Sequence, residues 1–287
     1  MPRKPYAAGY FYESEKEKLL RQIESCFLSA KSPENNKRIL GVIVPHAGYI
    51  YSGKCAAQAY KKLSESEYEI FIVIGFSHKG LPSSISSEDW ETPLGTMKTD
   101  SETAKKISGK TQIPINNEFH MHEHSIEVQI PFIQYITQNN KSPSKIICIN
   151  ISDGITHKKA APEILTAVKS MKKTFCIIAS SDFTHFGPNY GFIPFQKNLK
   201  ENLQNLDMGA IKNILNLDGK GFNDYTEKTG ATICGRNPIS LILEIASLEK
   251  SKPKLLDYCT SGDITKDFTN SVSYASIIFE IQQGFSL

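Results

Sequence analysis

The chain has 287 residues, of which 40% are hydrophobic, 22% charged and 10% aromatic. This composition is typical of a globular protein and excludes a disordered chain, a collagen and a coiled coil. Lys and Arg number 33 against 30 Asp and Glu, and a net charge of +3 predicts neither a nucleic-acid nor a membrane-surface partner. No apolar run approaches the roughly 20 residues of a membrane span, and Glu13, Glu15 and Glu17 stand where a signal peptide would be apolar. We therefore expect a cytoplasmic protein.

Short apolar runs and amphipathic stretches alternate along the chain. In chain order, the spacing of apolar residues predicts a helix over 15–29, a strand over 39–44, a helix over 54–63, a strand over 69–74, a helix opened by Asp100, a helix over 125–137, strands over 145–151 and 174–179 separated by a helix over 160–171, helices over 198–215 and 238–248, and alternating strands over 254–259 and 272–279. Continuous β-branched runs suit strands covered on both faces, whereas the last two strands suit an edge or antiparallel position. The pattern predicts one α/β domain over 1–287, with a mostly parallel β-sheet flanked by helices.

Histidines follow three of the predicted strands. His46 comes two residues after the first strand, His78 follows the second, and His185 follows the fourth together with Asp182. In open α/β sheets, ligands bind outside the carboxyl ends of the strands. A single histidine in such a position is more often a hydrogen-bonded loop or core residue, but the repeated position predicts that the three meet in one cleft.

A fourth group of ionisable residues lies between His120 and Glu127. The order of residues is not that of the H-E-x-x-H zinc motif, because Ile126 occupies the second histidine position. We interpret the segment as the polar entry to a helix in which His124 works at the site and the others are solvated. His157 is expected in a surface loop.

Cys234 follows a glycine-bounded turn and precedes the last predicted helix. The six cysteines include no CxxC pair, so a disulfide framework or zinc knuckle is not indicated. A thiol at a helix N-terminus beside Arg236 is expected to have a lowered pKa, and it would suit a nucleophile or a metal ligand. A buried, inert cysteine is the alternative.

Several blocks of this sequence resemble the MEMO family, whose prokaryotic members are called AmmeMemoRadiSam system protein B. The blocks stand in family order and are Ala8–Tyr12, Pro45–Tyr49, Glu123–Glu127, Ser181–Gly187 and Cys234–Arg236. The resemblance implies a fold similar to the class III extradiol dioxygenases, which are non-haem iron enzymes, and a functional link to radical SAM proteins. At Phe11 the chain departs from animal members, which have a Trp implicated in phosphopeptide binding.

The resemblance also implies a site. Family members hold a metal with two histidines and one cysteine, which correspond here to His46, His78 and Cys234. His185 and Asp182 correspond to the acid/base neighbourhood of the dioxygenases, and His124 to a residue of the same cleft. A thiolate would replace the dioxygenase carboxylate here, and this softer ligand shifts the preference toward Cu(I) or Zn²⁺ and changes the redox potential of iron. Iron or copper is the expected metal, and zinc is an alternative.

Three hypotheses follow for the function. The first is a metal-dependent redox enzyme, in which His185, oriented by Asp182, moves protons, His124 assists, and Tyr49 and Arg236 hold an anionic substrate. The second is a non-catalytic protein that binds a peptide or small molecule in the same cleft. The third is a metal-independent cysteine hydrolase with Cys234 as nucleophile and His185 as base.

Overall fold

The computed structural model describes residues 1–30 and 37–281, in which strands and helices alternate. The strands of this part of the chain are β1 (Ile39–Val44), β2 (Ile70–Gly75), β3 (Ser84–Ser86), β4 (Trp90–Thr92), β5 (Gly95–Met97), β6 (Lys145–Asn150), β7 (Phe175–Ser180), β8 (His185–Phe186), β9 (Lys252–Thr260) and β10 (Ser271–Glu280). Its α-helices are α1 (Lys16–Phe27), α2 (Tyr49–Leu63), α3 (Ser101–Thr111), α4 (Ile130–Thr137), α5 (His157–Lys169), α6 (Leu199–Leu215), α7 (Gly219–Thr229), α8 (Arg236–Leu248) and α9 (Ser261–Thr265).

Four parallel strands form the centre of the main sheet, in the order β6-β2-β7-β1. β3 is added antiparallel beside β6, and β10 is added antiparallel beside β1. β10 also pairs antiparallel with β8 and β9, while β4 and β5 form a separate two-stranded ribbon. The predicted α/β fold with a mostly parallel sheet is confirmed, and the two C-terminal strands are antiparallel as predicted.

Helices cover both faces of this sheet. On β2, Ile72 and Ile74 pack into one hydrophobic core with α3, α5, α6, α7 and α8, whereas Phe71 and Val73 pack into a second core with α1, α2 and α4. Successive strand residues point to opposite faces, so both sets must be apolar. This double burial explains why the central strands lack polar alternation.

Several elements differ from the sequence prediction. α2 begins at Tyr49, directly after the loop that follows β1. The predicted helix over 125–137 is a single 3-10 turn over Glu127–Gln129 followed by α4. α7 was not predicted, and His157 is the first, half-buried residue of α5 rather than part of a surface loop.

The described residues include no helix that combines the length and the apolar character needed to cross a bilayer.

Candidate metal centre

Three adjacent parallel strands deliver their following loops to one cleft. The loops after β1, β2 and β7 place His46, His78 and Asp182 around a cavity of about 490 Å³. His185, the first residue of β8, and His124, from the segment before α4, line the same cavity. The structure therefore brings together the strand-end histidines and the one residue singled out between His120 and Glu127.

The donor atoms of these side chains lie close enough to share an ion. One donor atom from each of His46, His78 and His124 lies within 4.8 Å of the others, and the same holds for His46, Asp182 and Cys234. Cys234 Sγ lies 3.2 Å from His46 Nε2. His46 belongs to both sets, and neither set contains all three ligands that the resemblance implies. Nitrogen and sulfur donors at these separations fit a metal ion with bonds of about 2.0–2.3 Å.

Hydrogen bonds fix the tautomer of His46. Its Nδ1 lies 3.0 Å from Ser180 Oγ. The Ser180 hydroxyl donates its own hydrogen bond to the carbonyl of Ser125 at 2.6 Å. His46 Nδ1 must therefore carry the proton and donate, which leaves the lone pair of Nε2 facing Cys234. Burial, and next the neighbouring His78, holds the pKa of His46 well below its ordinary value. A neutral imidazole with a free Nε2 is the form that binds a metal.

His78 is held by a buried carboxylate. Its Nδ1 donates to Glu123 Oε1 at 2.8 Å and its backbone N–H donates to Glu123 Oε2 at 2.8 Å. The same carboxylate accepts from the backbone N–H groups of His124 and Ser125. Burial acts to raise the pKa of Glu123, but the hydrogen bond from His78 and the other contacts outweigh it and lower the pKa to about 2. This carboxylate–imidazole pair is the arrangement that orients histidine ligands of metals.

His124 is packed between rings. It stacks on Phe11 with centroids 4.3 Å apart and on His78 at 4.2 Å. Burial, followed by the nearby His46 and His78, lowers the pKa of His124 to about 3. The ring is therefore neutral at pH 7 and suits a ligand or a hydrogen-bonding group.

Two backbone carbonyls orient His185. Its Nδ1 donates to the carbonyls of Phe183 at 3.0 Å and Thr232 at 3.1 Å. Nε2 is consequently left as the acceptor atom of a residue that lines the cavity. The hydrogen bonds of the described residues show these carbonyls, and not Asp182, as the partners of His185 Nδ1.

Asp182 instead anchors the loop that carries His46. Its Oδ1 accepts from the backbone N–H groups of His46 at 2.8 Å and Ala47 at 3.2 Å. Burial raises the pKa of Asp182.

Cys234 occupies a different environment from the one predicted. Burial, and next the carboxyl of Asp182, raises the pKa of its thiol well above the ordinary value. Arg236 does not face the sulfur, because its Nε donates to Asn223 Oδ1 at 2.8 Å. The predicted lowering of the Cys234 pKa by Arg236 is therefore wrong. A close approach of Gly235 to β7 fixes the turn, since a Cβ there would lie 2.3 Å from Ser181 Cβ.

The two predicted substrate-binding residues lie outside the cavity lining. Tyr49 is buried and donates its hydroxyl proton to the carbonyl of Val128 at 2.6 Å, and Arg236 is engaged by Asn223. Anion binding by these two side chains is therefore not supported by their positions. The cavity lining also includes neutral polar and aromatic side chains, namely Tyr51, Asn189, Tyr190, Ser261, Asn270 and Tyr274.

The expectation that the neighbours of His124 are solvated is wrong for His120, Glu123 and Glu127, all of which are buried, while His122 is exposed. Glu127 pairs with the buried Arg3 guanidinium at 2.6 Å and accepts the Tyr12 hydroxyl at 2.6 Å. Partners remote in sequence explain this burial. Sequence reasoning missed Glu123 and Ser180 as positioning residues, since the only signal was that each adjoins a candidate residue or strand end.

Comparison with known proteins finds similar chains. The model of the family described as Memo-like protein matches residues 3–278. A MEMO1 family protein from Thermoplasma volcanium is 36% identical over 282 residues, covering 97% of this chain and 98% of the relative. MEMO1 family proteins from Methanococcus maripaludis strain C6 and Pyrococcus abyssi are 37% and 35% identical, each over 97% of this chain and 99% of the relative.

Proposed function

This chain belongs to the Memo family, and from that premise we propose that it is a metal-dependent oxidoreductase acting on a small substrate, with dioxygen as the oxidant. His46, His78 and Cys234 would hold one redox-active ion, iron or copper, and His124 would stand beside it. The fold expected from the family resemblance, that of the non-haem iron dioxygenases, favours this class.

The hydrogen bonds that fix the rings of His46 and His78 are the observation that carries the proposal. Ser180 holds Nδ1 of His46, Glu123 holds Nδ1 of His78, and in both rings Nε2 is left for a ligand. Hydrogen bonds that fix a ring tautomer and raise its basicity are characteristic of metal-ligating histidines. The Cys234 sulfur, 3.2 Å from His46 Nε2, adds a soft donor that suits iron, copper or zinc.

The bound ion would exchange electrons between the substrate and dioxygen. The chain's own part is proton movement and positioning. His185 keeps Nδ1–H on two carbonyls and presents Nε2 to the cavity, so it is placed to accept or return a substrate proton. Phe11 covers His124 on one side.

The neutral side chains that line part of the cavity favour a small or uncharged substrate. Tyr51, Tyr190 and Asn270 line it, and each offers a ring face or a hydrogen-bonding group without a formal charge. Such a surface recognises aromatic, hydroxyl or amide groups.

Metal analysis tests the proposal. Protein purified without oxygen is loaded with ferrous iron, dialysed and compared with His46→Ala, Cys234→Ser and, as a matched control, the exposed His122→Ala. We expect the wild type and the control to keep iron equally, and His46→Ala to lose most of it because His46 belongs to both donor sets. Equal iron content in all variants would contradict the proposal.

A second function is favoured by the contact between Cys234 and His46. A thiol 3.2 Å from an imidazole acceptor is also the arrangement of a cysteine nucleophile with its base, although the partner is His46 and not the predicted His185. Turnover that survives a chelator but not Cys234→Ser would support a hydrolase.

The non-catalytic binding alternative has its own test. Capture of a ligand that survives the combined loss of His46, His78 and Cys234 would favour a binding protein.

A further inference from the structure

A second group of metal-binding side chains lies between α2 and β9. One donor atom from each of Cys55, Asp257 and Cys259 lies within 4.8 Å of the other two. Cys55 is on α2, whereas Asp257 and Cys259 are two residues apart on β9 and so share a face of that strand. None of the three lines the cleft described above.

The burial of the group suits an ion that enters from the β9 side. Cys55 is fully buried, and Asp257 and Cys259 are half-buried. Both cysteines are free thiols. Two sulfurs and a carboxylate oxygen thus converge with one donor deep in the protein and two reachable from its surface.

The donor types select the ion. Thiolate ligands favour zinc and other soft ions over magnesium and calcium, and zinc accepts cysteine and aspartate at about 2.0–2.3 Å in a four-coordinate site. We propose that Cys55, Asp257 and Cys259 bind a Zn²⁺ ion at a second site, with a fourth position filled by water.

The position of the site indicates a structural role. α2 follows the loop that carries His46, and β9 pairs with β10, where Cys259 lies opposite Tyr274. Cys55 belongs to a small hydrophobic cluster with Val272 and Tyr274, which both line the cleft. An ion here would tie α2 to β9 behind the cleft wall without touching the substrate.

The experiment measures the number of zinc ions bound per chain in the cleft-disabled protein, a variant whose cleft can no longer bind metal. His46→Ala, His78→Ala and Cys234→Ser are combined, and the protein is equilibrated with Zn²⁺ under reducing conditions and then dialysed. We expect one zinc ion per chain, lost on adding Cys259→Ser and weakened at least tenfold by Asp257→Asn, whereas Cys148→Ser, a buried cysteine of β6 outside both groups, changes nothing. Substitution with Co²⁺ should give a thiolate charge-transfer band that disappears with Cys259→Ser.

Stability gives a second readout that does not depend on counting. Because an ion that binds only the folded state stabilises it, Zn²⁺ should raise the melting temperature of the cleft-disabled protein by several degrees and leave that of its Cys259→Ser derivative unchanged. Cys259 and Asp257 are preferred to Cys55 as test positions because they are half-buried and easier to replace.

Failure of this proposal is separable from failure of the proposed function. Absence of zinc from the cleft-disabled protein, or zinc that persists after both Cys259→Ser and Asp257→Asn, would overturn the second site and leave the cleft untouched. A Cys55–Cys259 disulfide that forms in reducing buffer, seen as an intact mass lower by two hydrogens, would overturn it as well. In the protein with an intact cleft, a cleft that binds no metal while zinc is still bound at Cys259 would reject only the first proposal.

Discussion

At the residue scale, Glu123 joins the loop that follows β2 to the segment that carries His124. Its carboxylate accepts from His78 Nδ1 and from three backbone N–H groups. Glu123→Gln keeps the shape but removes the charge and turns one acceptor into a donor. We expect metal affinity to fall about 10- to 100-fold, measured by competition with a chromogenic chelator.

The control for this substitution is Glu249→Gln, which removes a surface partner of Lys169. A surface ion pair contributes about 0–1 kcal/mol, and Glu249 does not line the cleft, so this variant should bind metal like the wild type. Unchanged affinity in Glu123→Gln would mean that His78 is not a ligand.

The sequence allowed the meeting of His46, His78 and His185 to be predicted because parallel strands end at the same edge of a sheet. The roles of Glu123 and Ser180 could not be predicted from the sequence, because each depends on a partner from a distant segment. Burial of Glu127 could not be read from the sequence either, because it requires Arg3, 124 residues away, to fold onto it.

At the element scale, the start of α8 positions Cys234 through a glycine. A Cβ on Gly235 would lie 2.3 Å from Ser181 Cβ, so Gly235→Ala must displace either the helix start or β7. We expect a loss of about 1–3 kcal/mol in unfolding free energy together with weaker metal binding. Urea denaturation and a metal titration measure the two effects.

Gly109 in α3 is the matched position, since a Cβ there would meet nothing within 4 Å. Gly109→Ala should therefore stabilise the protein by about 0.5–1 kcal/mol. A Gly235→Ala protein as stable as the wild type would show that the turn tolerates displacement.

Most long elements were predictable, with α7 as the exception, and the short strands β3, β4 and β5 were not. The four central strands are continuous apolar runs, and α3 begins after Asp100, whose side chain accepts from the backbone N–H of Thr103 as an N-cap. α7 was missed because Gly219 and Gly221 favour a turn, although Asp218 caps it by accepting from Gly221 N at 2.7 Å. β3, β4 and β5 have three residues each, too few to show a period.

At the scale of the whole molecule, the buried Arg3 side chain binds the N-terminal segment to the segment before α4. The Arg3 guanidinium donates to Glu127 at 2.6 Å and to the carbonyl of His120 at 2.7 Å, and it lies 4.1 Å from the centre of the Trp90 ring. Arg3→Ala leaves the Glu127 carboxylate buried without its cation. We expect a loss of about 3–5 kcal/mol in urea denaturation, against less than about 1 kcal/mol for the exposed Lys4→Ala. Similar losses for both would refute this anchoring role.

His120 should also contribute to the pH dependence of the free energy of unfolding. Burial, and next the charge of Arg3, lowers the pKa of His120 to about 3, whereas in the unfolded chain it is about 6.5. Because the folded pKa is the lower one, the unfolded state binds the extra proton, and stability that is complete above pH 6.5 falls as the pH drops toward 3. Between pH 7 and pH 5 this group alone should lower the free energy of unfolding by about 2 kcal/mol.

Urea denaturation at a series of pH values measures the slope of the free energy of unfolding against pH. This slope should flatten in His120→Gln and stay unchanged in the exposed His122→Gln. An equal slope in His120→Gln and the wild type would mean that His120 is protonated in the folded protein.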